Sequence, residues 1–197
     1  MPRETDRPCT LLVVSGSERF EAQVRKALSG KRFSSMDFRK TAGMARQSRL
    51  DRDYDLVVVH CPLPDEFGHE FAIETARRSN ASVLLVVPPE IYENVIENVS
   101  DYGILALSHA AVSEQLAQAL RLLMAFQKKV HTLEEKLQAA QDRMEELRVV
   151  SKAKLLLVEK KGMSEDEAHR VIGKLAMNEG VSRRRIAERM LDELEDE

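Results

Sequence analysis

The sequence predicts an α/β domain on a parallel sheet, then one long coiled-coil helix, then a small all-helical head. Three observations predict it. First, Thr10-Leu11-Leu12-Val13-Val14, Leu56-Val57-Val58-Val59 and Ser82-Val83-Leu84-Leu85-Val86-Val87 are short continuous apolar runs separated by helical periodicity. Buried parallel strands with crossover helices give that pattern. Second, Leu116, Ala119, Leu123, Phe126, Val130, Leu133, Leu137, Ala140, Met144 and Leu147 recur at alternating steps of three and four, the seam of a heptad coiled coil. Third, helix-start and helix-stop signals punctuate the residues after Leu147.

Taken in order, the first run stops at Ser15-Gly16-Ser17 and is followed by a helix with Phe20, Val24, Ala27 and Leu28 on one face. Phe33 to Phe38 reads as an edge strand and Thr41 to Leu50 as a helix. The second run is broken by Pro62 and Pro64, and Glu70 to Arg78 is helical. The third closes at Pro88-Pro89, before a helix over Ile91 to Val99 and a short strand over Ile104 to Leu107. Five strands in this length have the size of a flavodoxin-like domain. From Val112 the chain is helical and enters the rod, which has no Gly or Pro and would span roughly 50 Å. Between its seam positions sit polar residues such as Gln127, Lys128, Glu134 and Glu145. Such a stripe needs a partner helix, so a homodimer is expected, with parallel packing bringing like heads together.

Past Leu147 the heptad lapses at Ser151 and Lys154. The apolar face becomes Val149, Val150, Ala153, Leu156 and Leu157 up to a C-cap at Gly162. Ser164-Glu165-Asp166-Glu167 is a capping box. The next helix carries Ala168, Val171, Ile172, Leu175 and Ala176 and ends at Asn178-Glu179-Gly180. Ser182 caps a last helix with Ile186, Ala187, Met190, Leu191 and Leu194, and the final residues to Glu197 fray. The expected organisation is a flexible N-terminus over 1–8, an α/β domain over 9–115, a coiled-coil dimerisation helix over 116–147 and a helical head over 148–197.

Bulk properties narrow the function. The 197 residues carry a net charge of -3, so contact with nucleic acid or a membrane needs a local patch. Aromatic residues are 5% with no Trp, against stacking platforms for single strands. Cys9 and Cys61 have no metal-binding spacing. The polar start lacks a signal-peptide core and no apolar run reaches membrane-span length, so a cytoplasmic protein is expected. No nucleophile–base or paired-carboxylate constellation is visible; no enzyme, cofactor or metal is expected.

Asp55-Leu56-Val57-Val58-Val59-His60-Cys61-Pro62-Leu63-Pro64-Asp65-Glu66-Phe67-Gly68 resembles the central strand and turn of a response-regulator receiver domain. Pro64 and Gly68 match that family's pattern. His60 stands at its phospho-accepting Asp, and Ser15 and Gly16 stand where the metal-binding acidic pair belongs. Val87 or Pro88 replaces its Ser/Thr, and Leu107-Ser108 or Ser108-His109 its Lys-Pro. Octahedral Mg²⁺ wants carboxylate oxygens, which Ser, Gly and His do not supply. The resemblance therefore implies a receiver-like (pseudo-receiver) fold without phosphorylation chemistry. His109 lies near the last strand's end and would approach His60, two polar side chains lining the pocket.

Ala153-Lys154-Leu155-Leu156-Leu157, Gly162-Met163-Ser164, Glu167-Ala168, Ala176-Met177 and Val181-Ser182-Arg183-Arg184-Arg185-Ile186-Ala187-Glu188 resemble the ANTAR domain, the antiterminator module of the AmiR and NasR type. Leu155 departs from the family's Gly. The resemblance implies an RNA-binding transcription antiterminator that grips hairpin loops of a leader transcript. Candidate RNA-binding residues are Lys154, Lys161, Arg170, Lys174, Arg183, Arg184 and Arg185. Ala153 is small either to admit RNA closely or to pack. The basic residues are equally readable as solvated helix faces, in which case the chain is an adaptor assembling with another protein through the pseudo-receiver and coiled coil. Without phosphorylation, control falls to a regulatory protein or small ligand at the pseudo-receiver, or to RNA supply. The seam residues for dimerisation are Leu116, Leu123, Phe126, Val130, Leu133, Leu137, Met144 and Leu147.

Overall fold

In the computed structural model, residues 8–30 and 33–195 are described; the expected flexible N-terminus lies almost wholly outside them, as do Asp196 and Glu197. The elements are β1 (Cys9–Ser15), α1 (Glu18–Ala27), β2 (Phe33–Arg39), α2 (Ala42–Asp51), β3 (Leu56–His60), α3 (His69–Arg78), β4 (Ser82–Val87), α4 (Tyr92–Val99), β5 (Leu105–Ser108), α5 (Val112–Lys161), α6 (Glu165–Glu179) and α7 (Arg183–Glu195). The chain divides into two compact units, Met1–Thr132 and Leu133–Glu197.

The first unit is a five-stranded sheet in the order β2-β1-β3-β4-β5, with every neighbouring pair parallel. Strand alternation sorts its apolar residues into two layers. Leu12, Val57, Val59, Leu85 and Val87 face α2, α3 and α4, where Ala45, Phe71, Ala72 and Val99 are buried. Leu11, Val13, Leu56, Val58 and Leu84 face α1 and α5, where Phe20, Val24, Val112, Leu116, Leu120 and Leu123 are buried. The doubly covered parallel sheet explains why the strands read as unbroken apolar runs. Gly68 starts α3 at φ +103°, and a Cβ there would stand 3.0 Å from Cys61 Sγ and 3.2 Å from Val59 Cγ1. Neither space nor backbone admits a side chain. The Asp65 carboxylate accepts from the backbone N–H groups of Ala42 and Gly43 at 3.0 and 2.9 Å, so the loop after β3 caps α2. Burial alone would raise this carboxyl, but the Gly43 and Ala42 amides hold it below its ordinary range.

The early part of α5 corrects two seam assignments. Leu116 and Leu123 are 2% and 7% exposed and belong to the core of their own domain. With Leu120 and Gln127 they form the stripe that packs on the sheet. Gln127, expected among the solvated positions of the rod, is 3% exposed. The Ser82 hydroxyl donates to Gln127 Oε1 at 2.9 Å, and Gln127 Nε2 donates to the Asn80 carbonyl at 3.2 Å. One turn later His131 Nε2 meets Asp55 Oδ1 at 2.8 Å. Asp55 Oδ2 also accepts from the Thr10 amide and hydroxyl at 2.7 and 2.8 Å. Burial pushes the Asp55 carboxyl up, but the bonds from Thr10 and His131 outweigh it and leave it below its ordinary value.

The second unit holds the remainder of α5 with α6 and α7 around Ala153, Leu157, Ala168, Ile172, Ala176, Ile186 and Ala187. Its boundaries follow the capping rules. Gly162 and Gly180 both take φ +65° at helix ends. The capping box is complete: Glu167 N–H donates to Ser164 Oγ at 3.3 Å, and Ser164 N–H donates to Glu167 Oε2 at 2.9 Å. Ser182 Oγ accepts from Arg185 N–H at 3.2 Å to start α7. Along α5, Leu133, Leu137, Met144 and Leu147 are 55%, 60%, 71% and 62% exposed.

Candidate nucleic-acid interface and the pocket at the sheet edge

The parallel register sets Ser15 of β1 beside His60 of β3 at the C-terminal edge of the sheet. Ligands of open α/β sheets bind at that edge. Ser15 Oγ accepts from the Ser17 amide at 3.0 Å and shares a hydrogen bond with His60 Nδ1 at 3.2 Å. The His60 ring stacks on Phe20 with centroids 4.1 Å apart, and on its other side His109 stacks at 4.6 Å. A ring sandwich of Phe20, His60 and His109 thus fills the edge. It brings His60 and His109 together as expected, and adds Phe20, which the sequence placed only on a buried helix face. A Cβ on Gly16 would stand 3.0 Å from Pro64 Cγ, so the turn after β1 lies directly against the turn after β3.

Burial, and secondly the neighbouring His109, lower the His60 pKa to about 4. His60 is therefore a neutral ring at neutral pH. Parallel stacked rings do not converge their nitrogens on one point, so the pair is a packing unit and not a chelate. No group of three or more His, Cys, Asp or Glu residues that could hold a metal ion occurs among the described residues. Burial, then Glu66, pushes the Cys61 thiol up to about 12, which makes it a buried apolar group and not a nucleophile.

In the helical head the candidate residues divide. Ala153 is fully buried, so it packs against α6 and α7 and offers no surface to RNA. Lys154 Nζ donates to Glu165 Oε1 at 2.6 Å, with the lysine side chain 19% exposed. The lysine thus ties the end of α5 to the first residue of α6. Arg184 pairs with Glu188 one turn along α7 at 2.7 Å. Arg189, which the sequence did not single out for the interface, pairs with Glu179 at 2.6 Å. Lys161, Arg170, Lys174, Arg183 and Arg185 are exposed. Arg170 and Lys174 stand four residues apart on α6 and so share a face.

The two helix starts differ in charge. The first turn of α6 carries Glu165, Asp166 and Glu167, which offset the positive end of the helix dipole. The first turn of α7 carries Arg183, Arg184 and Arg185 and no acid. Three guanidinium groups there add to the dipole, and an anion is what such a terminus attracts. The signal was present in the sequence as a basic run directly after a cap.

Comparisons with known proteins bear on both units of the chain. Residues 138–191 fit the family model described as the ANTAR domain. The transcriptional regulatory protein PdtaR of Mycobacterium tuberculosis (strain H37Rv) is 28% identical over 141 residues, covering 71% of this chain and 68% of its own. Among solved structures, the signal receiver domain of an HD domain-containing protein from Pseudomonas fluorescens Pf-5 shares 22% identity with a TM-score of 0.56, covering 68% of this chain and 98% of that one. An adenylate cyclase from Rhodopirellula baltica shares 15% identity with a TM-score of 0.58, again over 68% and 98%; at these identities both establish fold alone. No described helix is long and apolar enough to cross a membrane. With a receiver fold over its first unit and a match to the ANTAR domain over residues 138–191, the chain is similar to the ANTAR response regulators.

Proposed function

We propose that this protein is a dimeric RNA-binding antitermination regulator, acting on hairpin loops of leader transcripts in the cytoplasm. Its pseudo-receiver exerts control without phosphorylation and without a metal. The observation that carries the reading is the cationic start of α7 within an ANTAR domain. Unstacked loop bases offer edges for side chains to read, and flanking phosphates demand Lys and Arg. Lys161, Arg170, Lys174, Arg183, Arg184 and Arg185 are the proposed contacts; the Arg184–Glu188 pair is solvent-exposed, where ion pairs contribute little, so phosphate can displace it. Lys154 acts through Glu165, holding α6 in place. The dimer closes along Phe126, Val130, Leu133, Leu137, Met144 and Leu147 of α5. The proposed dimerisation helix thus begins later than its sequence boundary, because the pseudo-receiver core takes the residues up to Leu123.

Control without phosphorylation is supported by the Phe20–His60–His109 sandwich, which occupies the sheet edge with stacked aromatic rings in place of carboxylates. The test is a titration of the full chain with a two-hairpin RNA across a series of salt concentrations. Binding tighter than to a scrambled RNA of equal length, with an affinity that falls steeply with salt, is expected. Replacing Arg183 and Arg185 by Gln lowers the salt slope by about 1 each if each contacts one phosphate. Equal affinity for the scrambled RNA overturns the specific reading.

One observation favours a second reading, a protein adaptor: Lys154, Arg184 and Arg189 are each paired to an acid of the same head. Under that reading the Arg183 and Arg185 substitutions leave every RNA affinity unchanged.

A further inference from the structure

The α1–α5 side of the pseudo-receiver carries a groove of about 530 Å³ between the end of α1 and the start of α5. That is within the range of small-molecule sites, roughly 300–1,000 Å³. Its lining is mixed. Leu116 and Ala117 of α5 supply an apolar wall, Gln23 of α1 and Ser113 of α5 supply hydrogen-bonding groups, and Lys26 and Arg121 supply one cation from each helix.

The two cations are set apart from others in this unit. Arg46 is held by Glu66 at 2.7 Å and Glu74 at 3.0 Å, Arg52 by Asp37, and Lys40 lies 3.9 Å from Glu18. Neither Lys26 nor Arg121 has an ion-pair partner among the described residues. Both border the same groove, and no Asp or Glu lines it. Lys26 also sits in the last turn of α1, where it offsets the negative helix end. Arg121, in the third turn of α5, has no such service to perform.

We infer that the groove between α1 and α5 binds a small organic anion, a carboxylate, phosphate or sulfonate group on a compact apolar body. Lys26 and Arg121 take the charge, and Leu116 and Ala117 take the apolar part. This rests on the proposed phosphorylation-independent control of the pseudo-receiver, and it gives that control a site and a ligand class. Leu116 links the groove to regulation, because it is at once a wall of the groove and a core residue holding α5 on the sheet. A ligand there bears on the one helix that continues into the ANTAR domain.

The test is fluorescence titration of the full chain with 8-anilinonaphthalene-1-sulfonate, an apolar body carrying one anion. The wild-type chain saturates at one probe per chain. The surface double variant Lys26→Gln with Arg121→Gln weakens binding at least tenfold, and Ala117→Trp, which fills the groove, abolishes it. The double variant Leu133→Asp with Leu137→Asp binds as the wild type does, which separates the groove from the exposed stripe of α5. Circular dichroism confirms that each variant is folded, and the surface pair keeps the test valid where the Trp variant is not. Unchanged affinity in the Lys26 and Arg121 variant, or loss of binding in the Leu133 and Leu137 variant alone, overturns the proposal. No RNA enters the measurement, so its failure leaves the antitermination reading standing.

Discussion

Between Val112 and His131, α5 buries Leu116, Leu120 and Leu123 against its own sheet; between Leu133 and Leu147 the same helix leaves Leu133, Leu137, Met144 and Leu147 more than half exposed. The apolar spacing runs through both stretches without interruption. What differs is the partner within the chain. The early stretch has a sheet to cover, and its stripe is completed by polar attachments, Gln127 to Ser82 and Asn80 and His131 to Asp55. A periodic stripe states that a face will be buried, and it does not state by what. Full burial of a Leu side chain stabilises by roughly 1.5–3 kcal/mol, so a row of exposed ones favours a second helix.

Substitutions in the two stretches separate their roles. The largest effect belongs to the early one. Leu120 is fully buried, and Leu120→Ala costs about 2–5 kcal/mol, read as a lower urea midpoint for the first unit. Asp55→Ala is next, at about 1–3 kcal/mol, because it strands the Thr10 amide and hydroxyl and removes the contact with His131. An Asp55→Ala midpoint equal to the wild type's would show that the attachment at the far end of the early stretch holds nothing.

The ring sandwich adds a pH effect of the same order or smaller. His60 titrates near 4 in the folded protein, below its ordinary value of 6.5, so the unfolded chain takes the proton first. Its contribution is complete above about pH 6.5, falls as pH drops toward 4, and changes no further below that. Urea midpoints across this window, compared between the wild type and His60→Phe, measure it; the variant is flatter over the same interval. The smallest effect on the fold belongs to the later stretch. Leu137→Ala changes the stability of the first unit by no more than about 0.5 kcal/mol, while sedimentation shows a weaker dimer. A drop in first-unit stability matching that of Leu120→Ala would erase the distinction between the two stretches.

The same distinction explains what was legible in advance. Leu11 to Val14, Val57 to Val59 and Val83 to Val87 announce themselves because a strand covered on both faces has no polar alternation to obscure it. The capping box at Ser164 and the glycines at 162 and 180 are local chemistry, and local chemistry is written in adjacent residues. The His60 position was legible as a departure from the receiver pattern, and His109 as its neighbour. The contact of His131 with Asp55 spans 76 residues, and no pattern in either segment points to the other. Gln127 looked solvated because polar residues in a heptad normally are. Ala153 left two roles open, and only the packing of three helices decided between them. Of the basic residues, the run at Arg183 was visible, but the acids that hold Lys154 and Arg189 are brought in by the fold.

The most direct test of the central claim is the ratio of affinities for a two-hairpin and a one-hairpin RNA, measured for the wild type and for Leu133→Asp with Leu137→Asp. The proposed dimer along the exposed stripe of α5 would present two ANTAR heads, and linked sites raise avidity by about a hundredfold or more. The wild type is expected to prefer the two-hairpin RNA by at least tenfold, and the variant to bind both RNAs as weakly as the wild type binds one hairpin. A wild type with no preference, or a variant that keeps it, would contradict the account.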